Sequence, residues 1–356
     1  MKDFNPFFIN SNFIIENKDI KDFNSFMLSC ANNVGNSYIT YSLVKSCCKD
    51  FHNIQHIQNI YDIKDLNIDY YVDIINNQCS HVFVVLTDIL RKYYNDRLDL
   101  GYRRIEEIIN KINKPVIVCG IGANAFGDDR YNLDFYKDFN KGLVRLMSAI
   151  SDHSVSIGVR GYKTQEILHK LGIKNVDVVG CPSYFENGKN RPPINKQKLN
   201  RIEDIITTFG QNYSIVKNAT SILQDNTDVR FIDAVAFNNF NYKYSINDLK
   251  SLNQRKIRIF SDVYSWKKCI KEHKFYLGYR LHGSIVALNS GIPAICLNSD
   301  FRAREMCEYL AIPHKPGYSW DYSPFELYES LDMEQNNATY AKLYDKKWYY
   351  FVKLSK

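Results

Sequence analysis

The stretch from Phe275 to Pro313 constrains the fold more than any other part of this chain. It reads FYLGYRLHGSIVALNSGIPAICLNSDFRAREMCEYLAIP. A short aromatic and apolar run at 275–278 precedes a helix predicted over 284–290, which Gly291–Pro293 should stop. A second apolar run at 294–297 is short enough to be a buried parallel strand. The pattern therefore predicts a strand–helix–strand unit of an open α/β sheet.

Arg280, His282 and Gly283 lie between the first of these strands and its predicted helix. Ligands of open α/β sheets bind beyond the carboxyl ends of strands, next to the amino ends of helices. Free N–H groups at a helix start favour an anion, Arg280 adds a fixed cation, and His282 can carry a proton near neutral pH. Packing alone would explain a single Arg or His equally well, but the combination at one turn favours a ligand site.

Arg160 occupies the corresponding position of a second such unit. A strand predicted over 154–159 ends at this arginine, a helix over 164–171 ends before Gly172, and a strand over 176–179 follows. An isolated surface arginine is more often solvated or ion-paired. The repeated placement of an arginine at a strand tip nevertheless makes Arg160 a candidate.

Three other turns carry polar candidates. Asn33 and Asn36 flank a turn before a helix predicted over 37–45, where an ordinary helix start is the favoured interpretation. Asp88 follows a strongly β-prone run, and Asn124 follows the strand PVIVC in the sequence GIGAN. That sequence resembles part of a dinucleotide fingerprint, but Ala125 stands in the slot of the third glycine, which excludes NAD binding on this evidence.

The length of 356 residues predicts two domains. A linker is indicated where the composition shifts to PSYFENGKNRPPINKQK. The predicted divisions are a Rossmann-like domain at 1–185, a linker at 186–200, a second Rossmann-like domain at 201–324 and a helical tail at 325–356. The second domain should include strands at 229–235 and 258–260, and the basic, aromatic tail is expected to dock on the protein rather than on a membrane.

Composition excludes few classes of protein. Apolar residues make up 45% and charged residues 24%, as in soluble globular proteins, and no apolar run approaches the ~20 residues that span a bilayer. The amino terminus lacks a signal-peptide pattern, so a cytoplasmic location is expected. The nine cysteines show no C-x-x-C spacing, and Cys119 and Cys296 suit reduced core thiols. A net charge of +7 is compatible with a phosphorylated substrate, an anionic membrane or nucleic acid.

Four segments, in this order, resemble the polysaccharide pyruvyl transferase family. They are NVGNSYI from Asn33, GIGAN at 120–124, VRGYKTQEILHKLGIKNVDVVGCPSYF at 159–185 and the stretch from Phe275 with RLHG, GIP and D-x-R-x-R-E. The last two together are specific for the family. The matches extend over most of the chain from about residue 30 to 313.

The resemblance implies an α/β fold of two Rossmann-like domains facing a cleft, as in GT-B glycosyltransferases. It implies transfer of pyruvate from phosphoenolpyruvate to two sugar hydroxyls, forming a ketal in capsule or exopolysaccharide biosynthesis, without a metal or nicotinamide cofactor. By motif, Arg160, Arg280 and His282 correspond to donor-binding and catalytic residues, and Leu281, Gly283 and Ser284 line the donor. The expected partners are phosphoenolpyruvate and a free or lipid-linked sugar, at the inner face of the membrane in the second case, and not nucleic acid.

The chemistry of the residues agrees with that reaction. Two arginines can each hold one anionic group of phosphoenolpyruvate, and His282 is suited to protonate the enol carbon as a general acid. The candidates for the acceptor side are Asn33, Asn36, Asp88, Asn124, Asp300 and Glu305. A helix cap or an ion pair explains Asp88, Asp300 and Glu305 better than acceptor binding does.

Two other functions remain open at this stage. A GT-B glycosyltransferase would hold a nucleotide-sugar diphosphate near Gly283 and the ribose at Glu305. A non-catalytic glycan-binding protein is suggested by the 26 tyrosines. Product analysis separates the two transferases, and only a binding protein would tolerate loss of His282. The acceptor sugar, the ketal position and the oligomeric state are not encoded in any motif found.

Overall fold

The part of the chain that the structure describes forms two predominantly parallel β-sheets with helices packed against them. Its structure, a computed structural model, describes residues 5–11, 33–48, 54–92, 95–125, 133–210, 213–214, 216, 219–223, 257–260, 262–298, 300–317, 323–349 and 351. The strand predicted over residues 229–235 lies outside these ranges. The α/β fold class with two Rossmann-like sheets, predicted from the sequence, is confirmed.

The first sheet has the strand order β2-β1-β3-β4-β5-β6, and its described pairings are all parallel. Its strands are β1 Pro6–Ile9, β2 Gln55–Ile57, β3 His81–Val84, β4 Val116–Ile121, β5 Ile157–Val159 and β6 Val176–Val178. Alternate side chains of β1 enter different cores, since Phe7 and Ile9 pack in one apolar cluster and Phe8 in another. Both faces of the sheet are therefore covered, as parallel sheets require.

The second sheet has the order β10-β9-β7-β11-β12-β13, with β8 antiparallel to β7. Its strands are β7 Ile205–Gly210, β8 Tyr213–Ser214, β9 Thr220–Leu223, β10 Ile257–Ile259, β11 Phe275–Gly278, β12 Ala294–Asn298 and β13 His314–Pro316. One apolar cluster joins both sheets, because it contains Phe8 of β1, Leu277 of β11 and Ile295 of β12. The two sheets, and with them the two halves of the chain, consequently share a core.

Ten α-helices are described. They are α1 Val34–Cys47, α2 Ile68–Gln78, α3 Asp96–Lys111, α4 Lys141–His153, α5 Tyr162–Lys170, α6 Val263–Lys271, α7 Leu281–Asn289, α8 Phe301–Leu310, α9 Pro324–Glu329 and α10 Glu334–Leu343. Shorter turns are the 3₁₀ helices Leu133–Asp138, Pro182–Phe185, Gly188–Asn190 and Ile202–Asp204 and the π-helix Tyr344–Trp348. The first four α-helices each begin at an asparagine whose side chain accepts a bond from the first turn: Asn33, Asn67, Asn95 and Asn140. Each such cap stabilises its helix by about 1 kcal/mol.

Helix α7 begins earlier than the sequence predicted. The expected start at Ser284 was wrong, because His282 and Gly283 lie inside the first turn and Arg280 is the N-cap. Gly283 is required here for its small size. A Cβ at this position would lie 2.0 Å from the hydroxyl oxygen of Tyr276, so only glycine lets α7 pack this closely on β11.

The carboxyl-terminal tail returns to the first half of the chain. The ring of Trp348 stacks on Phe185 with centroids 5.4 Å apart, and a Cβ at Gly158 of β5 would lie 3.0 Å from Phe351. Both tail aromatics are buried. Among the helices of the described ranges, none has the length and apolar character needed to cross a bilayer.

Candidate active site

The candidate site lies where the carboxyl ends of strands from both sheets meet. Asp88 follows β3, Gly122 follows β4 and Arg160 follows β5. His282 and Arg302 lie in the first turns of α7 and α8, the helices that follow β11 and β12. Parallel α/β sheets bind ligands at this edge, so the topology brings polar side chains from both sheets to one place.

Arg160 is completely buried and its guanidinium has no hydrogen-bond partner among the described residues. Its relative exposure is 0%, and Nε, Nη1 and Nη2 are all unpaired. The side chain lies against Gly122, where a Cβ would come within 2.9 Å of Arg160 Cδ. Burial lowers the pKa of Arg160 from its usual value. Because an unpaired buried cation is costly, the arrangement is suited to receive an anion with several acceptor oxygens.

His282 is the second buried group of the site. Its exposure is 6%, and its Nε2 lies 3.9 Å from the Sγ of Cys181. On the other side the ring lies against the first turn of α1, since a Cβ at Gly35 would be 2.5 Å from Nδ1. Burial, followed by the charges of Arg160 and Arg302, lowers the pKa of His282 well below its usual value, although Asp88 opposes this. The imidazole is therefore neutral in the empty protein at neutral pH.

Arg302 joins the two halves at the site. Its Nη1 lies 3.5 Å from Asp88 Oδ2, and its Nη2 lies 3.5 Å from Asp300 Oδ2. Asp88 also accepts bonds from Thr87 Oγ1 at 3.0 Å and Asn124 Nδ2 at 3.3 Å. Burial alone would raise the pKa of Asp88, but Arg302, Arg91 and Arg160 outweigh it and hold the pKa well below the usual range. Asp88 is thus a charged partner of the arginines.

Arg302 was not among the residues predicted from the sequence, although it stands in the D-x-R-x-R-E motif. The signal was available, because Arg302 lies in the first turn of the helix that follows a buried strand. The rule that selected Arg160, a cation at a strand tip, selects Arg302 as well. Cys181 and Gly35 were also missed, and only their contacts with His282 identify them.

Glu305 and Asp300 have structural partners. Glu305 is 3% exposed and accepts bonds from the backbone N of Thr164 at 2.6 Å and its Oγ1 at 2.7 Å. It thereby caps α5, whose N-cap Gly161 supplies no side chain. Asp300 accepts a bond from the backbone N of Ala303 at 2.7 Å and caps α8. Burial raises the pKa of Glu305 above its usual value.

The remaining candidates lie around this centre. Arg280 is partly exposed, and its carbonyl accepts a bond from the hydroxyl of Tyr276 at 3.2 Å. Leu281 and Ser284 are buried in the first turn of α7, where Ser284 Oγ has no partner within the described part of the chain. Asn33 caps α1 through a 2.8 Å bond from Gly35 N, and Asn36 is partly buried beside it. Within the described residues, no three His, Cys, Asp or Glu side chains are arranged to hold a metal ion.

Comparisons with known proteins identify one family. The model of the polysaccharide pyruvyl transferase family matches residues 33–300. Comparison with curated proteins finds no significant match.

Solved structures with a similar course of the backbone include the UDP-GlcNAc 2-epimerase of Methanocaldococcus jannaschii in complex with UDP-GlcNAc and UDP. Its identity is 12%, its TM-score is 0.43, and the alignment covers 96% of this chain and 92% of that one. Anabaena HepE in complex with UDP and glucose is 8% identical with a TM-score of 0.42, covering 98% and 95%. Similarity at this level carries no information about function.

Proposed function

The chain belongs to the polysaccharide pyruvyl transferase family, and we propose that it transfers pyruvate from phosphoenolpyruvate to two hydroxyls of one sugar. The sugar belongs to a cell-surface glycan or to its lipid-linked precursor, and the products are a pyruvate ketal and phosphate. The observation that carries this proposal is the buried guanidinium of Arg160, which has no hydrogen-bond partner among the described residues. Its positive charge also acts on the neighbouring His282 and lowers the pKa of that imidazole.

Arg160 and Arg280 hold the two anionic groups of the donor in this proposal. Phosphoenolpyruvate carries a carboxylate and a phosphate, and a guanidinium can bind either with two parallel hydrogen bonds. Arg160 offers three unpaired nitrogens, and Arg280 is partly exposed at the start of α7. Arg302 adds a third positive charge that Asp88 partly neutralises. The excess of cations suits a donor with several negative charges.

The donor reaches Arg160 only after the contacts that cover its guanidinium have opened. All three guanidinium nitrogens are shielded from solvent, so the site as described is closed over them. The Asp88–Arg302 pair, at 3.5 Å, joins the two halves at this place. At this distance the hydrogen bond is at the long limit, and in this proposal the pair separates when the anionic donor offers Arg302 a new partner.

His282 supplies a proton to the donor. The methylene carbon of the enol accepts this proton, and the adjacent carbon becomes the electrophile that the first sugar hydroxyl attacks. Loss of phosphate and attack by the second hydroxyl then complete the ketal, with the hydroxyl protons returning to His282 and to phosphate. Positioned acids of this kind contribute roughly 10²–10⁴-fold to a rate. The negative charges of the bound donor favour the imidazolium, so the acid forms mainly after the donor binds.

The test is incubation with phosphoenolpyruvate and a panel of free and lipid-linked glycosides, followed by product mass and phosphate release. We expect an acidic ketal product and equimolar phosphate, and no activity from Arg160→Met. Transfer from a nucleotide sugar with release of a nucleotide, in the absence of any pyruvyl transfer, would show that the protein is a glycosyltransferase instead.

A further inference from the structure

The junction segment, residues 181–187, lies in the connection between the first sheet and the second and contacts the site at one end. Cys181 lies 3.9 Å from His282 Nε2. The segment continues through the 3₁₀ helix Pro182–Phe185 to Glu186 and Asn187. Neither of these two residues belongs to the catalytic mechanism proposed above, yet both are engaged in bonds that bridge the two halves of the protein.

Glu186 is a buried carboxylate with both oxygens paired. It is 3% exposed; its Oε1 lies 2.6 Å from Lys45 Nζ, and its Oε2 lies 2.5 Å from Lys267 Nζ. Tyr38 donates its hydroxyl to the same Oε2 at 3.0 Å. Burial would raise the pKa of Glu186, but the two lysines outweigh this effect and lower it. The carboxylate is therefore ionised at neutral pH and holds α1, which carries Tyr38 and Lys45, against α6.

Tyr38 extends this network to α7. Its hydroxyl accepts a bond from Asn289 Nδ2 at 2.7 Å, and the same amide donates to the carbonyl of Ser183 at 2.7 Å. Asn187 Nδ2 in turn donates to the carbonyl of Asn289 at 2.6 Å. Asn289 is the last residue of α7, and His282 lies in the first turn of the same short helix. Helices α1 and α7 are thus joined by the network near Glu186 and meet again at Gly35 and His282.

We propose that Glu186 is a positioning residue for His282. Through Tyr38 and Asn289, Glu186 fixes α7, the helix that carries His282, against α1. A nine-residue helix bonded at its carboxyl end behaves as a rigid body, so a change at Asn289 moves the imidazole at the other end. Glu186 does not itself reach the site. Its effect on the reaction, which rests on the proposed function, comes from holding the imidazole between Gly35 and Cys181.

Loosening the network should change the titration of His282. The charged and titratable groups that act on this imidazole are Arg160, Arg302, Asp88 and Cys181. Burial is the first cause of its lowered pKa. Admission of water between α1 and α7 reduces that effect, so the pKa of His282 should rise toward its usual value.

The experiment compares Tyr38→Phe with the matched variant Tyr328→Phe. Each removes one hydroxyl from a fully buried ring, but Tyr328 bonds only the backbone of Gln197 among the partners described. For Tyr38→Phe we expect a roughly tenfold lower single-turnover rate, a donor KM changed by less than about twofold, and a raised pKa of His282. Tyr328→Phe should change none of these. Glu186→Gln combined with Tyr38→Phe should cost less than the sum of the two single effects.

The histidine titration is read by nuclear magnetic resonance, with His282→Gln used to assign the signal, so it does not depend on any activity. If wild-type protein shows no pyruvyl transfer but Tyr38→Phe raises the pKa of His282, the positioning role stands and the proposed function is wrong. If Tyr38→Phe leaves the titration of His282 unchanged and loses only stability, as Tyr328→Phe does, Glu186 has a structural role alone and the proposal is overturned.

Discussion

The imidazole of His282 occupies the space that a side chain at Gly35 would fill. A Cβ on Gly35 would lie 2.5 Å from Nδ1 and 2.8 Å from Cγ of that ring. The two residues are far apart in the chain and belong to different helices, α1 and α7. The start of α1 therefore forms one wall of the site whose candidate acid comes from α7.

Gly35→Ala should displace His282 and lower the single-turnover rate by at least about tenfold. The matched control is Gly142→Ala, because Gly142 also stands two residues after a capping asparagine and donates to it. In both positions a Cβ would lie 2.9 Å from the cap oxygen, but only Gly35 adjoins His282. Equal rates for the two variants would show that the Gly35 contact does not matter for catalysis.

Arg160→Met should make the empty protein more stable while abolishing donor binding. The substitution removes a buried cation that has no hydrogen-bond partner among the described residues, and the cost in free energy of burying that charge is lost with it. Thermal melting with and without phosphoenolpyruvate measures both effects. Wild-type protein should gain stability from the donor and the variant should not. A variant that melts lower and still responds to the donor would contradict the proposed anion site.

Arg280→Lys should impair donor use severely although the charge is kept. A lysine is a point charge and cannot form the two parallel bonds of a guanidinium. We expect the KM for phosphoenolpyruvate to rise at least about tenfold, with some fall in kcat. The control is Arg103→Lys, an exposed arginine paired with Asp99 on α3. Steady-state kinetics close to wild type would remove Arg280 from the donor site.

His282→Gln should lower kcat and leave donor affinity nearly unchanged. A general acid acts only as the proton moves, so its loss affects the transition state and not the ground state. Calorimetric donor binding and single-turnover rates measure the two quantities separately. Loss of donor binding with a normal maximal rate at saturation would instead make His282 a binding residue.

The pH dependence of kcat should report the same imidazole. In the empty protein, burial and the neighbouring arginines lower the pKa of His282. The anionic donor stabilises the imidazolium and raises that pKa in the complex. The kcat profile should therefore fall on its alkaline side, with an apparent pKa above that of His282 in the enzyme without donor. An alkaline limb that survives in His282→Gln would assign it to another group.

The sequence by itself determined where the buried strands end and which side chains follow them. The strands before Arg160 and Arg280 are short and largely apolar, and the residues that follow such a strand lie at the carboxyl edge of the sheet. Arg160 and the Arg280–His282 pair were found in this way. The start of α7 was predicted at Ser284, whereas the helix begins at Leu281, because the sequence does not show how this helix packs on the Tyr276 ring of β11.

Only the tertiary structure decided which of these groups meet. Gly35 with His282, Asp88 with Arg302 and Glu186 with Lys45 and Lys267 are contacts between distant segments. Such contacts depend on how two helices or two sheets pack, and no periodicity or turn signal encodes that. The pKa directions follow from the same packing, because burial and neighbouring charges exist only in the folded chain. Residue types at strand tips thus come from the sequence, whereas their partners and protonation states come from the fold.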